Sequence, residues 1–287
     1  MAALPAGMGE AMKKALVVVA TLLAGIGVML YPMVSNMLAE RHGSEAIQAY
    51  AAAVSLLDDA ERVTAWQAAE EYNQSLTGQP VHDPFIPGTG MALQDNYYQL
   101  LNADGIMGHL DVPRIGVRLP IYHGTSEVVL AKGIGHLEGS TLPIGGASRH
   151  SVLTGHTGLS HAKILTDLVE LAVGDRFYIH VMGEVLAYQV DQIRVVEPEH
   201  IDDLGRVVGE DYVTLLTCTP YGVNSHRLLV RGQRVDYQPG VREETPAVRS
   251  AADHTVLRAA AITGAAMLVL IVAASRLAGS RRREEKS

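Results

Sequence analysis

Apolar residues fall into three textures along the chain. Ala15 to Val34 is twenty residues without a charge, close to the roughly 20 needed to cross a bilayer core. Ala259 to Ser275 is a second uncharged block, of seventeen residues, and Arg258 at its outer end can snorkel toward headgroups. After the first block the chain becomes amphipathic. Ser44 to Ser75 is Ala-rich, and Ile47, Ala51, Val54, Leu57 and Ala60 recur at three- and four-residue steps. That spacing predicts a helix with one apolar stripe, ended by Gly78 and Pro80. His82 to Gly90 is dense in turn formers and reads as a loop, and residues 91–102 predict one more short helix.

From Gly105 to Val235 the texture changes to short runs of β-formers broken by Gly and Pro. Predicted strands are His109–Val112, Arg118–Tyr122, Ser151–Thr154, Arg176–Val181, Val185–Val196, Tyr212–Thr217 and Leu228–Val235, with a helix over Ala162–Leu171. Many short strands joined by short turns predict a mostly β sandwich or closed barrel rather than a parallel sheet. About 130 residues suffice for one core. Val241 to Asp253 reads as a polar linker to the second apolar block.

Charge orients the two blocks. Lys13 and Lys14 precede the first, and Arg276, Arg281, Arg282 and Arg283 follow the second. By the positive-inside rule both termini are cytoplasmic and residues 35 to 255 lie outside. The alternative for the first block is a cleaved signal peptide, but no small-x-small site follows it. A net charge of −8 and a pI near 5.8 argue against nucleic acid as a partner. The chain has one cysteine, Cys218, which cannot form an intrachain disulfide. A lone cysteine is ordinarily a small buried hydrophobe.

The flanking residues of Cys218 argue otherwise. A strand rich in Val, Leu and Thr ends at the thiol, a Pro-Tyr-Gly turn follows, and the next strand opens near Arg227. The hairpin brings a thiol and a guanidinium to one sheet edge, a layout suited to acyl transfer through a thioester. A cation there can lower the thiol pKa or steady an oxyanion. His226 points to the opposite face from Arg227, because strand neighbours alternate. Among twelve histidines, His156 is best placed as acid or base, where an apolar strand ends in a glycine-flanked turn. There is no His-Glu-x-x-His and no Gly-x-Ser-x-Gly. Gly133-Ile-Gly-His-Leu-Glu-Gly139 misses the dinucleotide fingerprint at Glu138, and His156 and His161 are poorly spaced for a metal. No metal is expected.

Thr214-Leu-Leu-Thr-Cys-Thr-Pro-Tyr-Gly-Val-Asn-Ser-His-Arg-Leu-Leu-Val-Arg-Gly232 closely resembles the signature of sortases, membrane-anchored cysteine transpeptidases of Gram-positive bacteria. It is most similar to the class C, pilin-polymerising members. Leu153-Thr-Gly-His-Thr-Gly158 resembles the segment carrying that family's catalytic histidine, and Pro120-Ile-Tyr-His-Gly-Thr125 and Gly135-His136 also match. The resemblance covers residues 80 to 235 and, more weakly, both flanking blocks.

It implies an eight-stranded sortase-type β-barrel in which Cys218 is the nucleophile, His156 the acid/base partner and Arg227 the oxyanion or substrate-backbone donor. It implies a sorting motif resembling Leu-Pro-x-Thr-Gly, cleaved between Thr and Gly. The acyl group would pass to a lysine amine of a neighbouring pilin subunit, with no cofactor. Asp83-Pro84-Phe85 resembles the class C lid over the cleft, with Asp83 near the cations and Phe85 on the apolar floor. Val196 to Asp211 corresponds to the loop that shapes the sorting-signal pocket. A housekeeping sortase that attaches surface proteins to peptidoglycan precursor is the alternative. A hydrolytic cysteine protease and a membrane-tethered binding module are more distant ones.

The expected organisation is a cytoplasmic tail (1–14), a transmembrane helix (15–34), a helical region (35–80), and a lid loop and linker (81–104). The catalytic barrel (105–240), a linker (241–255), a second transmembrane helix (256–275) and a basic cytoplasmic tail (276–287) follow.

Overall fold

A computed structural model describes residues 6–76, 82–86, 94–159 and 162–239, with Gly264 alone beyond them. The expected second membrane helix and the linker before it therefore lie outside the described residues. Helix α1 (Ala6–Leu56) contains Pro32 and runs on well past the end of the first apolar block. Its segment Val17–Leu56 is the one described helix long and apolar enough to cross a membrane. Ser35–Val248 is one compact unit.

The amphipathic stretch is two helices rather than one. Helix α2 (Asp59–Ser75) starts afresh because Asp58 and Glu61 form a reciprocal capping box: the Asp58 carboxylate accepts from Glu61 N at 2.8 Å and Glu61 Oε2 accepts from Asp58 N at 2.9 Å. The buried stripe of α1 is Ile47, Tyr50 and Val54, whereas Ala51 and Ala60 are exposed. Tyr50 locks α1 to the domain, donating from its hydroxyl to Met107 O and accepting from Met182 N. Over residues 94–102 only a 3-10 turn, Tyr97–Gln99, appears in place of the expected helix, and Ala162–Leu171 likewise yields a 3-10 turn, Thr166–Glu170.

The described residues form eight strands: β1 (Gly108–Val112), β2 (Val117–His123), β3 (Ile134–His136), β4 (Arg149–Thr154), β5 (Arg176–Val181), β6 (Glu184–Val196), β7 (Asp211–Thr219) and β8 (His226–Val235). A short helix α3 (Glu127–Leu130) joins β2 to β3. The sheet closes in the order β1-β2-β3-β4-β7-β8-β6-β5, with β5 pairing back onto β1. This settles the choice between sandwich and barrel. Two of the pairings, β2–β3 and β4–β7, are parallel.

Period-two alternation puts Leu110, Val112, Ile121, Leu153, Phe177, Ile179, Val213, Leu215 and Val230 in the main core. Closure is tight: a Cβ on Gly108 would lie 2.3 Å from His180 O. A smaller apolar cluster of Leu137, Val152, Leu216 and Leu229 is roofed by Ile201 and Leu204 from the β6–β7 connection. Its strand residues are the immediate neighbours of core residues such as Leu153, Leu215 and Val230, so they face the other side of the sheet.

Candidate active site

The hairpin β7–β8 places Cys218 directly opposite Arg227. Residues opposite one another in an antiparallel pair share a face, so thiol and guanidinium emerge together. The connecting turn is closed by Val223 N and Asn224 N, both donating to Pro220 O. Both side chains are covered, Cys218 at 7% and Arg227 at 5% exposure. Arg227 Nη1 donates to Asn224 O and His226 O, each at 3.2 Å.

His156 follows the end of β4, which runs parallel to β7 with Thr154 beside Leu216. Two bonds keep the chains in step past the strand end: Gly155 N donates to Leu216 O at 3.1 Å, and Thr217 Oγ1 donates to Gly155 O at 2.7 Å. Two residues beyond the Thr154–Leu216 pair, the same register sets His156 level with Cys218. Among the described residues no hydrogen bond joins the thiol to the imidazole. The ring instead lies 5.4 Å from the Phe85 ring and 3.4 Å, through Nε2, from Glu127 Oε2.

Asp83, Pro84 and Phe85 cover this edge. Asp83 Oδ1 accepts from Phe85 N at 2.8 Å, a local turn that Asp-Pro sequences favour. Its Oδ2 accepts from Arg227 Nε at 2.6 Å, with side-chain exposures of 2% and 6%. Phe85 packs against the smaller apolar cluster and lies 5.2 Å from the Arg227 guanidinium carbon. The tripeptide thus engages the guanidinium, the imidazole and the apolar floor at once. The β6–β7 loop is pinned beside it. His150 Nδ1 is 2.8 Å from Gly205 O and its Nε2 is 2.7 Å from Thr214 Oγ1, while Arg194 pairs with Asp203 at 2.7 Å.

Burial pushes the Cys218 thiol pKa up; Arg227 pulls it down and Asp83 pushes it up again. With the tripeptide in place the protonated thiol is therefore favoured. A thiol, an imidazole and a guanidinium thus share one barrel edge beside an apolar cluster, a combination able to perform acyl transfer.

Residues 110–235 match the family described as the sortase domain. Sortase C1 of Streptococcus agalactiae is 46% identical, with a TM-score of 0.64, over 69% of this chain and 97% of that one. The chain belongs to the sortase family. A sortase C of Streptococcus pneumoniae, whose structure bears on catalysis and pilin substrate specificity, is 43% identical with a TM-score of 0.63, over 69% of this sortase and 100% of that chain. Sortase A of Streptococcus agalactiae is 26% identical over 117 residues, 40% of this sortase. The match spans 47% of that curated relative's own length. The class C reading of the sequence thus holds for this sortase. Glu127 was not singled out in the sequence, since a glutamate at a helix start carries no distinguishing signal.

Proposed function

We propose that this sortase is a membrane-anchored transpeptidase that cleaves a Leu-Pro-x-Thr-Gly-like motif and joins the acyl fragment to a lysine amine of a pilin subunit. The observation that carries this reading is the pairing of Cys218 with Arg227 beside His156, under the Asp83–Phe85 lid. Once the lid leaves, His156 takes the Cys218 proton, the resulting thiolate attacks the Thr carbonyl, and Arg227 donates to the oxygen that becomes negative. Collapse breaks the Thr–Gly bond, with His156 protonating the leaving Gly amine. The thioester conserves the bond energy, so no cofactor is required. The lysine amine then attacks, His156 takes up the proton, and the thiolate departs.

Phe85 fills the apolar groove where the Leu and Pro of a sorting motif would lie, and Asp83 occupies Arg227 Nε. Substrate entry therefore requires the lid to leave. The β6–β7 loop, with Ile201 and Leu204, forms the groove wall. Pilin as acceptor is favoured by the likeness to the Streptococcus pneumoniae sortase C and by the lid. The first apolar helix, with exposed Val17, Leu23, Val28 and Met33, suits a membrane anchor that leaves the barrel extracytoplasmic. A second span at residues 256–275, with both termini cytoplasmic, completes the proposed topology.

Presenting the full chain, in detergent, with a sorting peptide and two acceptors tests the assignment. A product on pilin lysine supports it. A product on the peptidoglycan precursor alone would establish the housekeeping alternative, and free acid alone a protease.

A further inference from the structure

Buried polar groups outside the cleft lead to Glu127. His136 on β3 is fully buried, which holds its pKa down to about 4 and keeps the ring neutral. Thr141 O, 2.9 Å from Nε2, can only accept, so Nε2 carries the proton and Nδ1 accepts from the Tyr97 hydroxyl at 2.8 Å. That hydroxyl in turn accepts from Gly124 N at 3.1 Å, fixing the turn that leaves β2. One residue on, Thr125 is clamped by Glu138: its N and Oγ1 both donate to the carboxylate, at 3.3 and 2.9 Å. Ser126 then caps α3, accepting from Val129 N. Glu127 is the first residue of α3, so a scaffold anchored on the buried Tyr97–His136 pair brings an otherwise exposed carboxylate to within 3.4 Å of His156 Nε2.

We propose that Glu127 is a positioning residue for His156, its carboxylate accepting the Nε2 proton and leaving Nδ1 to exchange protons with the reacting groups. The inference rests on the reading of His156 as the proton carrier. In the acylation step Nδ1–H gives its proton to the leaving Gly amine; in the transfer step Nδ1 takes one from the attacking amine. Throughout, Nε2–H stays on the ring, bonded to Glu127. Among the described residues, the other ionisable groups beside the ring are Cys218, Arg227 and Asp83.

The test compares Glu127→Gln and Glu127→Asp in the full chain in detergent. Imidazole nitrogen NMR, with the His156 signals assigned by their loss in His156→Ala, should show the proton of the neutral ring held on Nε2, part of it moved to Nδ1 in Glu127→Gln, and Nε2 largely restored in Glu127→Asp. Turnover of sorting peptide and amine should fall about two- to five-fold in Glu127→Gln, the scale of an exposed ion pair. KM for the peptide should not move, and raised salt should shrink the difference. An unchanged His156 tautomer, or a changed tautomer without loss of turnover, would overturn the proposal. So would an increase confined to the amine KM, which would make Glu127 a receptor for the incoming amine. The tautomer measurement needs no peptide, so failure of the transpeptidase reading would be seen separately.

Discussion

Replacing Asp83 with alanine should release the lid and expose the thiol. In the closed arrangement Asp83 Oδ2 and Arg227 Nε meet at 2.6 Å, and both side chains are nearly inaccessible. Removing one member of such a buried pair strands the other charge, at a cost of about 3–5 kcal/mol. Only the closed state bears that cost, because with the lid displaced both groups are hydrated. At about 1.4 kcal/mol per factor of ten, the open-to-closed ratio rises by about 10² or more. Iodoacetamide labelling reports this cleanly, since Cys218 is the only cysteine in the chain. Where lid opening limits access, labelling at fixed pH should accelerate by about 10² or more.

A second effect acts in the same direction. Burial, and to a smaller extent Asp83, push the thiol pKa up, so losing the carboxylate moves the labelling midpoint to lower pH. Asp83→Asn, which keeps the shape and removes the charge, separates electrostatics from access. An unchanged labelling rate and midpoint in Asp83→Ala would refute the reasoning.

Arg227→Ala should lower the rate of transfer by about 10² to 10³, the loss expected for one oxyanion donor. The same variant leaves Asp83 buried without its cation, so the lid should open and Cys218 should label faster while turnover collapses. The gain in labelling should be smaller than in Asp83→Ala, because losing the cation also raises the thiol pKa; both quantities slowed together would argue against the assignment. Stability should fall in acid. The buried His136 ring has a folded-state pKa of about 4 against 6.5. The unfolded chain therefore takes up a proton that the folded chain refuses between those values. The contribution is complete above pH 6.5 and is lost as pH falls toward 4, roughly 3 kcal/mol in all. Chemical denaturation at pH 7 and pH 5 should show the loss, and a His136→Gln variant should show a shallower dependence.

The barrel was readable because β-branched runs punctuated by Gly and Pro mark strand ends well. Arg176–Val181 emerges as a strand with the bounds its pattern predicts. Strand β3 escaped because three residues, Ile134–His136, are too few for alternation to register. The Gly-Ile-Gly-His text there instead reflects close packing: a Cβ on Gly135 would lie 2.4 Å from Gly124 O. Parallel pairing of β4 with β7 is a long-range fact, and no local pattern carries it. It is nonetheless what sets His156 level with Cys218. The apparent single helix over Ser44–Ser75 hid a capping box, because Asp58 and Glu61 are polar positions that a stripe of apolar residues passes over. The Cys218–Arg227 juxtaposition, by contrast, follows from a hairpin and strand alternation alone. Glu127 reaches His156 from a turn held by the buried Tyr97–His136 and the partly buried Thr125–Glu138 contacts, which no local pattern announces.

The most direct test is mass spectrometry of the full chain after incubation with a sorting peptide, using the lid-released Asp83→Ala background to guarantee access. The account predicts a thioester on Cys218 whose added mass equals the peptide's N-terminal fragment ending at Thr. That adduct should disappear on adding amine and be absent when Cys218 is replaced by alanine. A cleaved peptide with no adduct on Cys218, or an adduct that persists in Cys218→Ala, would contradict it.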